Sequence, residues 1–491
     1  MTVLSLLPAT ELLLTSLFLL ACILLFSTII SCRPKPPALF PPGPRPLPLI
    51  GSLHLLDLKH MDTSMMKLSK KYGNVFSIDL AGLRVVVLTG YSTVQDALVN
   101  LADQFSGRPH NPLFDKITFR MGVIFSDGKL WQNMRKLVLS TLHGFGMGRP
   151  LQDRITEEVG FLVSQIEDQK GQPFETLPIL TPATGSVICS IIFGNRFECD
   201  EERFLRLVKM NTEILQLMSS VHVQLLNFLP WLSFLLSKTK IIRNRDQMHK
   251  IIADMIQAQD NRTSVSDKLL FKLEQESEME DVKMRDRNTL CMIMDLLVAG
   301  TETTSTTLSW GLLLMSKYPK IQKKVQAEID QVIECSRCPR IEDKRSMPYT
   351  TAVIHEIQRF TNIVPLNLPH SVTTDTYFRG YLLPKGTYVM PILTSVLQDK
   401  TQWEKPEEFY PPHFLDGDGK FVKRVAFMPF SAGRRMCAGK DLAKMEIFLF
   451  FTSLLQRFNF QCPPGEPELD LTPQVSFIQS PRPHKLCAIP R

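Results

Sequence analysis

The 491-residue sequence predicts a mainly α-helical chain with a small β portion, an α+β body behind one N-terminal membrane-spanning helix. Three observations predict it. Segments with apolar residues at helical spacing dominate after residue 88. One alternating Val/Ile-rich stretch and a later segment punctuated by Pro and Gly supply the strands. A run of nineteen residues without a charge, Leu12 to Ile30, opens the chain.

Composition sets the outer bounds. At 44% hydrophobic, 21% charged and 9% aromatic the chain is ordinary for a globular protein, which excludes a disordered tail, a collagen-like fibre and a small disulfide scaffold. Lys plus Arg at 56 against Asp plus Glu at 49 leaves +7, and no Lys/Arg-rich run carries interleaved aromatics, so nucleic acid is not a predicted partner. The ten cysteines are irregularly spaced and read as free thiols in a reducing compartment.

The elements divide into residues 1–32, a signal anchor; 33–50, a proline-rich spacer; and 51–491, one domain. As a helix rising ~1.5 Å per residue, the opening run spans roughly 28 Å, close to the hydrocarbon core of a bilayer. Glu11 is the only charge before it, and Arg33 and Lys35 follow it, so the body is predicted to stay cytosolic and the anchor uncleaved. A cytosolic body leaves the sequon Asn261-Arg262-Thr263 unmodified. Proline-rich chain from Arg33 to Pro48 favours an extended, semi-rigid spacer.

Within the domain, Val75 to Leu88 reads as a hairpin turning at Ala81-Gly82. Helices are predicted over Gly128 to Leu142, Phe204 to Leu226, Arg285 to Lys317, Lys320 to Val332, Tyr349 to Phe360 and Asp441 to Phe458. Short strands and turns fill the interval after Asn362. Phe228 to Leu232 is an apolar segment suited to a second membrane contact.

Several chemistries are absent. The sequence has no GxxxxGK[ST], GxSxG or GxGxxG, and Arg359 stands where a zincin's second His would follow His355-Glu356. Cys335-Ser336-Arg337-Cys338 is a lone CxxC in a polar loop, better read as two free thiols than as a metal site. The informative stretch is Phe430-Ser431-Ala432-Gly433-Arg434-Arg435-Met436-Cys437-Ala438-Gly439, where glycines bracket a Cys ahead of a helix. A helix N-terminus stabilises a thiolate, which serves as a nucleophile or a metal ligand. Spacing alone leaves those near parity with a buried structural Cys.

That stretch matches FxxGxRxCxG, the haem-binding signature of the cytochrome P-450 superfamily. Ala299-Gly300-Thr301-Glu302-Thr303-Thr304 resembles the oxygen-activating segment of the family's long I helix. Glu356-Ile357-Gln358-Arg359 resembles its ExxR motif, and Trp131-Gln132-Asn133-Met134-Arg135 its WxxxR. The anchor and spacer resemble the microsomal class, and the body resembles vertebrate family 2, its fish K subfamily most. The resemblance implies a single haem-thiolate monooxygenase fold, with haem b as cofactor and Cys437 as the axial ligand of its iron. A thiolate there pushes electron density that favours O–O cleavage.

Further roles come from the same resemblance. Arg435, Arg135, Trp131, His370 and Arg108 would hold the haem propionates. Glu302 and Thr303 would relay protons, with Ala299 and Gly300 leaving room for a diatomic ligand. Glu356, Arg359 and His413 would form a structural trio. Phe114, Val123, Leu217, Asp295, Ala299, Val364, Leu366 and Phe477 would line a pocket for a lipophilic substrate. Lys440, Lys444, Lys129 and Lys136 would form a basic patch for an acidic membrane-bound NADPH reductase, with cytochrome b5 as a second donor. The expected place is the endoplasmic reticulum membrane with the domain on its cytosolic side. Two alternatives keep the haem–cysteine unit: a non-catalytic haem carrier or sensor, and a peroxide isomerase that needs neither reductase nor O2.

Overall fold

In the computed structural model, residues 37–144, 149–194, 202–257, 281–333, 337–465, 469–474 and 476–491 are described, together with Leu14, Ser16, Leu17 and Leu20. Those four are helical and exposed; the rest of the predicted anchor, the Asn261 sequon and Cys335 lie outside the described residues. Among the described residues no helix is long and apolar enough to cross a membrane.

Caps and breakers set the helix ends. The longest helix, α9 (Val282–Lys317), starts where Asp281 accepts the Lys283 amide at 2.9 Å and stops at Tyr318, before Pro319 opens α10 (Pro319–Val332). Its 36 residues run about 54 Å at ~1.5 Å each. Before it come α1 (Met61–Tyr72), α2 (Pro112–Thr118), α3 (Gly128–Gly144), α4 (Arg149–Glu167) and α5 (Leu177–Phe193). After α10 follow α11 (Pro348–Thr361) and α12 (Lys440–Arg457). α9 packs against α5, α11 and α12, burying most of its length in the main apolar cluster.

The predicted helix over Phe204 to Leu226 is two helices. α6 (Glu202–Met218) ends, and Ser220 caps α7 (Val221–Phe228), its hydroxyl accepting the Val223 amide at 3.3 Å. The two serines offer the backbone a local partner that an uninterrupted helix would not. The sequence did not single out α4, α5 or α8 (Lys240–Gln257). For α5 the reason is plain: it is apolar nearly all round and buried, so no polar stripe marks its period.

Strands β1 (Val75–Leu80) and β2 (Leu83–Leu88) form the predicted hairpin, with Ala81 and Gly82 both at positive φ as a tight two-residue turn requires. β4 (Tyr388–Pro391) adds parallel to β2, and β3 (His370–Ser371) completes the order β1-β2-β4-β3. The last part of the spacer is no free linker. Pro42 accepts the Ser77 amide at 2.7 Å and Pro41 its hydroxyl at 2.8 Å, so this segment lies on β1. Gly43 passes so close that an added Cβ would sit 1.9 Å from the Ser77 carbonyl oxygen.

The fully buried pair Glu356–Arg359 organises the chain before Cys437. On α11, three residues apart, they make two 2.7 Å bonds, Nε to Oε2 and Nη2 to Oε1. The guanidinium's other hydrogens go to the carbonyls of Leu397, Pro406 and Glu408 at 2.8–2.9 Å. Glu356 also accepts the Tyr410 amide at 2.8 Å and faces His413 Nδ1 at 3.2 Å, while His413 Nε2 accepts the Lys405 amide. A satisfied buried pair contributes geometry more than net energy, but breaking it strands a charge. Arg359→Met is expected to cost about 3–5 kcal/mol in urea unfolding. Arg359→Met with Glu356→Leu should recover part of that loss, and a single-variant cost under ~1 kcal/mol would contradict the assignment.

Candidate active site

The loop before α12 is shaped by backbone constraints. Gly433 has φ +71, and a Cβ there would lie 1.6 Å from the Leu98 carbonyl oxygen, so only glycine lets this loop close on the chain beneath it. The Cys437 amide donates to the Phe430 carbonyl at 3.0 Å, and Arg135 Nη2 donates to the Met436 carbonyl at 2.6 Å. Cys437 thereby faces a cavity of about 340 Å³ walled by α3, α9, α12 and the chain before α3. Its accessible surface borders this cavity and a second one of about 230 Å³ beside Arg135, Met436 and Lys440. Burial pushes the thiol up, opposed by the Gly439 amide and the Arg135 and Lys440 charges, so full ionisation calls for a metal as well.

Arg108, Arg135, Arg435 and Trp131 stand on the same wall. Arg435 donates from Nε to the Ser106 carbonyl at 2.7 Å and from Nη2 to Ser126 at 2.9 Å, with Asp127 Oδ1 at 3.3 Å. Its guanidinium lies 3.8 Å over the Trp131 ring. Arg435 Nη1 and Trp131 Nε1 are both buried without a partner among the described residues. Burial, then the neighbouring Arg108, pushes Arg435 down to about 8; burial also pushes Arg108 down to about 10. Crowded cations and two orphaned donors fit an anionic group carrying carboxylates, as haem does. His370 sits behind this wall: it is buried, donates from Nδ1 to the Phe105 carbonyl at 2.7 Å, and does not border the cavity.

Residues 41–488 match the family model for cytochrome P450. Cytochrome P450 2K6 of Danio rerio is 46% identical over 457 residues, covering 91% of this chain and 90% of its own length. Cytochrome P450 2K1 of Oncorhynchus mykiss is 44% identical, covering 92% of each, and cytochrome P450 2W1 of Homo sapiens is 41% identical over 93% of this chain and 95% of its own. This chain belongs to the cytochrome P450 family. As a P450 it is an oxidoreductase, a monooxygenase that binds haem through a cysteine thiolate.

On the P450's long helix, Thr303 borders the cavity and its hydroxyl donates to the Ala299 carbonyl at 2.6 Å. Glu302 is buried and turned away, accepting the hydroxyl of Thr212 on α6; burial pushes its carboxyl up. The structure therefore does not bring Glu302 to the cavity wall beside Thr303. Ala299 and Gly300 both border the cavity as expected, and the missing side chain of Gly300 also makes room for Ile188 of α5, 2.4 Å from where a Cβ would stand.

Phe114, Val123, Asp295, Val364 and Phe477 line the distal part. Phe114 stacks on Phe125 at 4.1 Å and meets Phe477 edge-on at 6.0 Å, giving an aromatic end to an apolar chamber. Two predicted residues lie off the wall. Leu217 packs into the core while Ile214, Leu215 and Met218 present the cavity face of α6. Leu366 packs toward the sheet's apolar cluster, while Val364, Asn367 and Leu368 face inward.

Asp295 is not free to bind a substrate's polar group with Oδ2, which accepts the amides of Val123 at 2.8 Å and Ile124 at 3.0 Å. Seven residues earlier on the same helix, Asn288 accepts the Gly122 amide at 2.9 Å. The long helix thus holds the backbone of the loop whose side chains line the chamber. The sequence reading missed Glu446, a buried acid on the cavity wall inside an apolar helix; its isolation among Phe and Leu residues was the available signal.

Two outcomes test these placements. Gly433→Ala should abolish haem retention or lower the unfolding temperature by several degrees, since left-handed φ and a backbone clash coincide there. Burial pushes Asp295 up to about 7, so the folded state holds a proton that the unfolded chain releases near pH ~4. Stability is therefore present below that range and falls as pH rises towards 7. Asp295→Asn stays neutral, and its stability relative to the parent should rise by about 1 kcal/mol between pH ~6 and ~8 in thermal unfolding. A pH-independent difference would contradict a proton on Asp295.

Proposed function

We propose that Cys437 is the axial ligand of the haem iron and that the protein inserts one oxygen atom of O2 into a lipophilic substrate. One observation carries the reading: a single cavity joins the Cys437 thiol, the orphaned donors of Arg435 and Trp131, and an apolar chamber. Bound haem with a thiolate ligand supplies the activation of O2. The chain's residues hold and shield it. Arg435, Trp131, Arg135 and Arg108 receive the propionates, and His370 supports them from behind by holding Phe105. Phe114, Phe477, Val123 and Val364 select by shape and exclude water.

Thr303 holds a hydroxyl at the cavity, and Glu302 stores a proton one residue away. For Glu302 to relay it to Thr303, its side chain must leave Thr212. Electrons come from NADPH through a membrane-bound reductase. Exposed Lys129 and Lys136 on α3 and half-buried Lys440 and Lys444 on α12 support a basic docking face on the Cys437 side. Burial, then the nearby Lys440, pushes Lys444 down, so an acidic partner would relieve the repulsion between the two lysines. The uncharged N-terminal run supports attachment to the endoplasmic reticulum membrane with this face in the cytosol.

The absorption spectrum of dithionite-reduced protein with and without carbon monoxide tests the ligand assignment. A strongly red-shifted Soret band is expected in the parent and its loss in Cys437→Ala. A band like that of a His-ligated haem in the parent would overturn it.

A further inference from the structure

Glu446 is a buried carboxyl in the apolar run Met445-Glu446-Ile447-Phe448 of α12, on the wall of the cavity that Cys437 and Thr303 also border. Its Oε2 accepts the hydroxyl of Thr304 on α9 at 3.1 Å. Its Oε1 is buried with no partner among the described residues. Thr304 stands out among its neighbours. Thr303, Ser305 and Thr307 donate back to carbonyls of their own helix, whereas Thr304 reaches across to α12.

Burial pushes the Glu446 carboxyl up to about 8, against the pull of the Thr304 hydroxyl, so at neutral pH the acid carries its proton. Oε2 already receives a hydrogen from Thr304, which places the acid's own proton on Oε1, the oxygen left unbonded. A buried donor without an acceptor is unfavourable, and a water with two or more polar neighbours removes that cost. The other acid on the cavity wall, Asp295, has Oδ2 committed to two loop amides, and Glu302 is turned to Thr212. Glu446 keeps a free oxygen.

We propose that Glu446 is a neutral, proton-bearing acid that, joined to the Thr304 hydroxyl, binds one water molecule in the wall of the haem cavity near Thr303. The proposal rests on the cavity being the haem site, where the Arg435 side receives the carboxylates and water is left as the acceptor for Glu446. Glu446 is a positioning residue: it bridges α9 and α12, keeps a polar group and a proton beside the threonines, and adds no charge on the Cys437 side.

The test is infrared difference spectroscopy of the haem-loaded, full-length ferrous protein, carbon monoxide bound minus photodissociated. The expected result is a carbonyl band of a hydrogen-bonded, protonated carboxyl that shifts in D2O, disappears in Glu446→Gln and moves in Thr304→Val. The midpoint potential should be unchanged in Glu446→Gln, because a neutral amide replaces a neutral acid. A spectrum in which Glu446→Gln loses no carbonyl band, or a raised midpoint potential in that variant, overturns the neutral acid. A band at the higher frequency of an unbonded acid overturns the water. The red-shifted Soret band is read on the same samples: its presence without the carboxyl band sinks Glu446 alone, and its absence overturns both readings.

Discussion

Two buried guanidiniums and a half-buried third on one cavity wall are the constraint on which the site depends. Arg108 and Arg435 have left water and Arg135 has partly left it, so each must find compensation inside the fold. They find part of it in backbone carbonyls. Arg108 takes Ile124 and Pro369, Arg435 takes Ser106 and Ser126, and Arg135 takes Met436. Those carbonyls belong to the chain before α2, the chamber loop, the chain after α11 and the cysteine loop. The same charges that await an anionic cofactor therefore tie together the segments that would surround it. With carbonyl dipoles alone the compensation is incomplete, as the orphaned Nη1 of Arg435 and Nε1 of Trp131 show.

The long helix α9 meets a second conflict, between bonding its own backbone and serving the cavity. Its central hydroxyls mostly satisfy themselves by donating to the preceding turn, which costs no partner from outside. Two acids break that pattern, both held by threonine hydroxyls from another helix: Glu302 by Thr212 and Glu446 by Thr304. Farther along the helix, Asn288 and Asp295 hold the chamber loop by its amides. One element thus sets the shape of the apolar chamber and the polarity of the cavity.

Much of this was legible before folding. The hairpin turn at Ala81-Gly82, the long helix from Arg285 to Lys317 and the helix after Cys437 follow from local chemistry: positive φ, caps and periodicity. The motif residues Cys437, Arg435, Arg135, Trp131, Arg108, Thr303, Ala299, Phe114, Val123, Asp295, Val364 and Phe477 converge on one cavity. Other residues went elsewhere for identifiable reasons. Leu217 lies one helical step off the face that Ile214 and Met218 present. Leu366 falls on the outward side of an irregular turn whose neighbour Asn367 has positive φ. Gly300 does border the cavity and serves the contact with α5 as well, because a helix buried on several sides uses its small residues for packing as readily as for ligand space.

The sequence alone determined the composition class, the uncharged N-terminal run, the hairpin, the long helix with the helices that follow it, and the family motifs, since each of these depends on residues within a few turns of one another. Only the tertiary structure decided which face a side chain presents and what it bonds. Glu302 and Glu446 look alike as single acids in apolar helices, yet one is closed off by Thr212 and the other lines the cavity with one oxygen unpartnered among the described residues. That difference arises because a buried polar group is satisfied by whatever donor or acceptor packing brings within about 3 Å, and packing joins positions hundreds of residues apart.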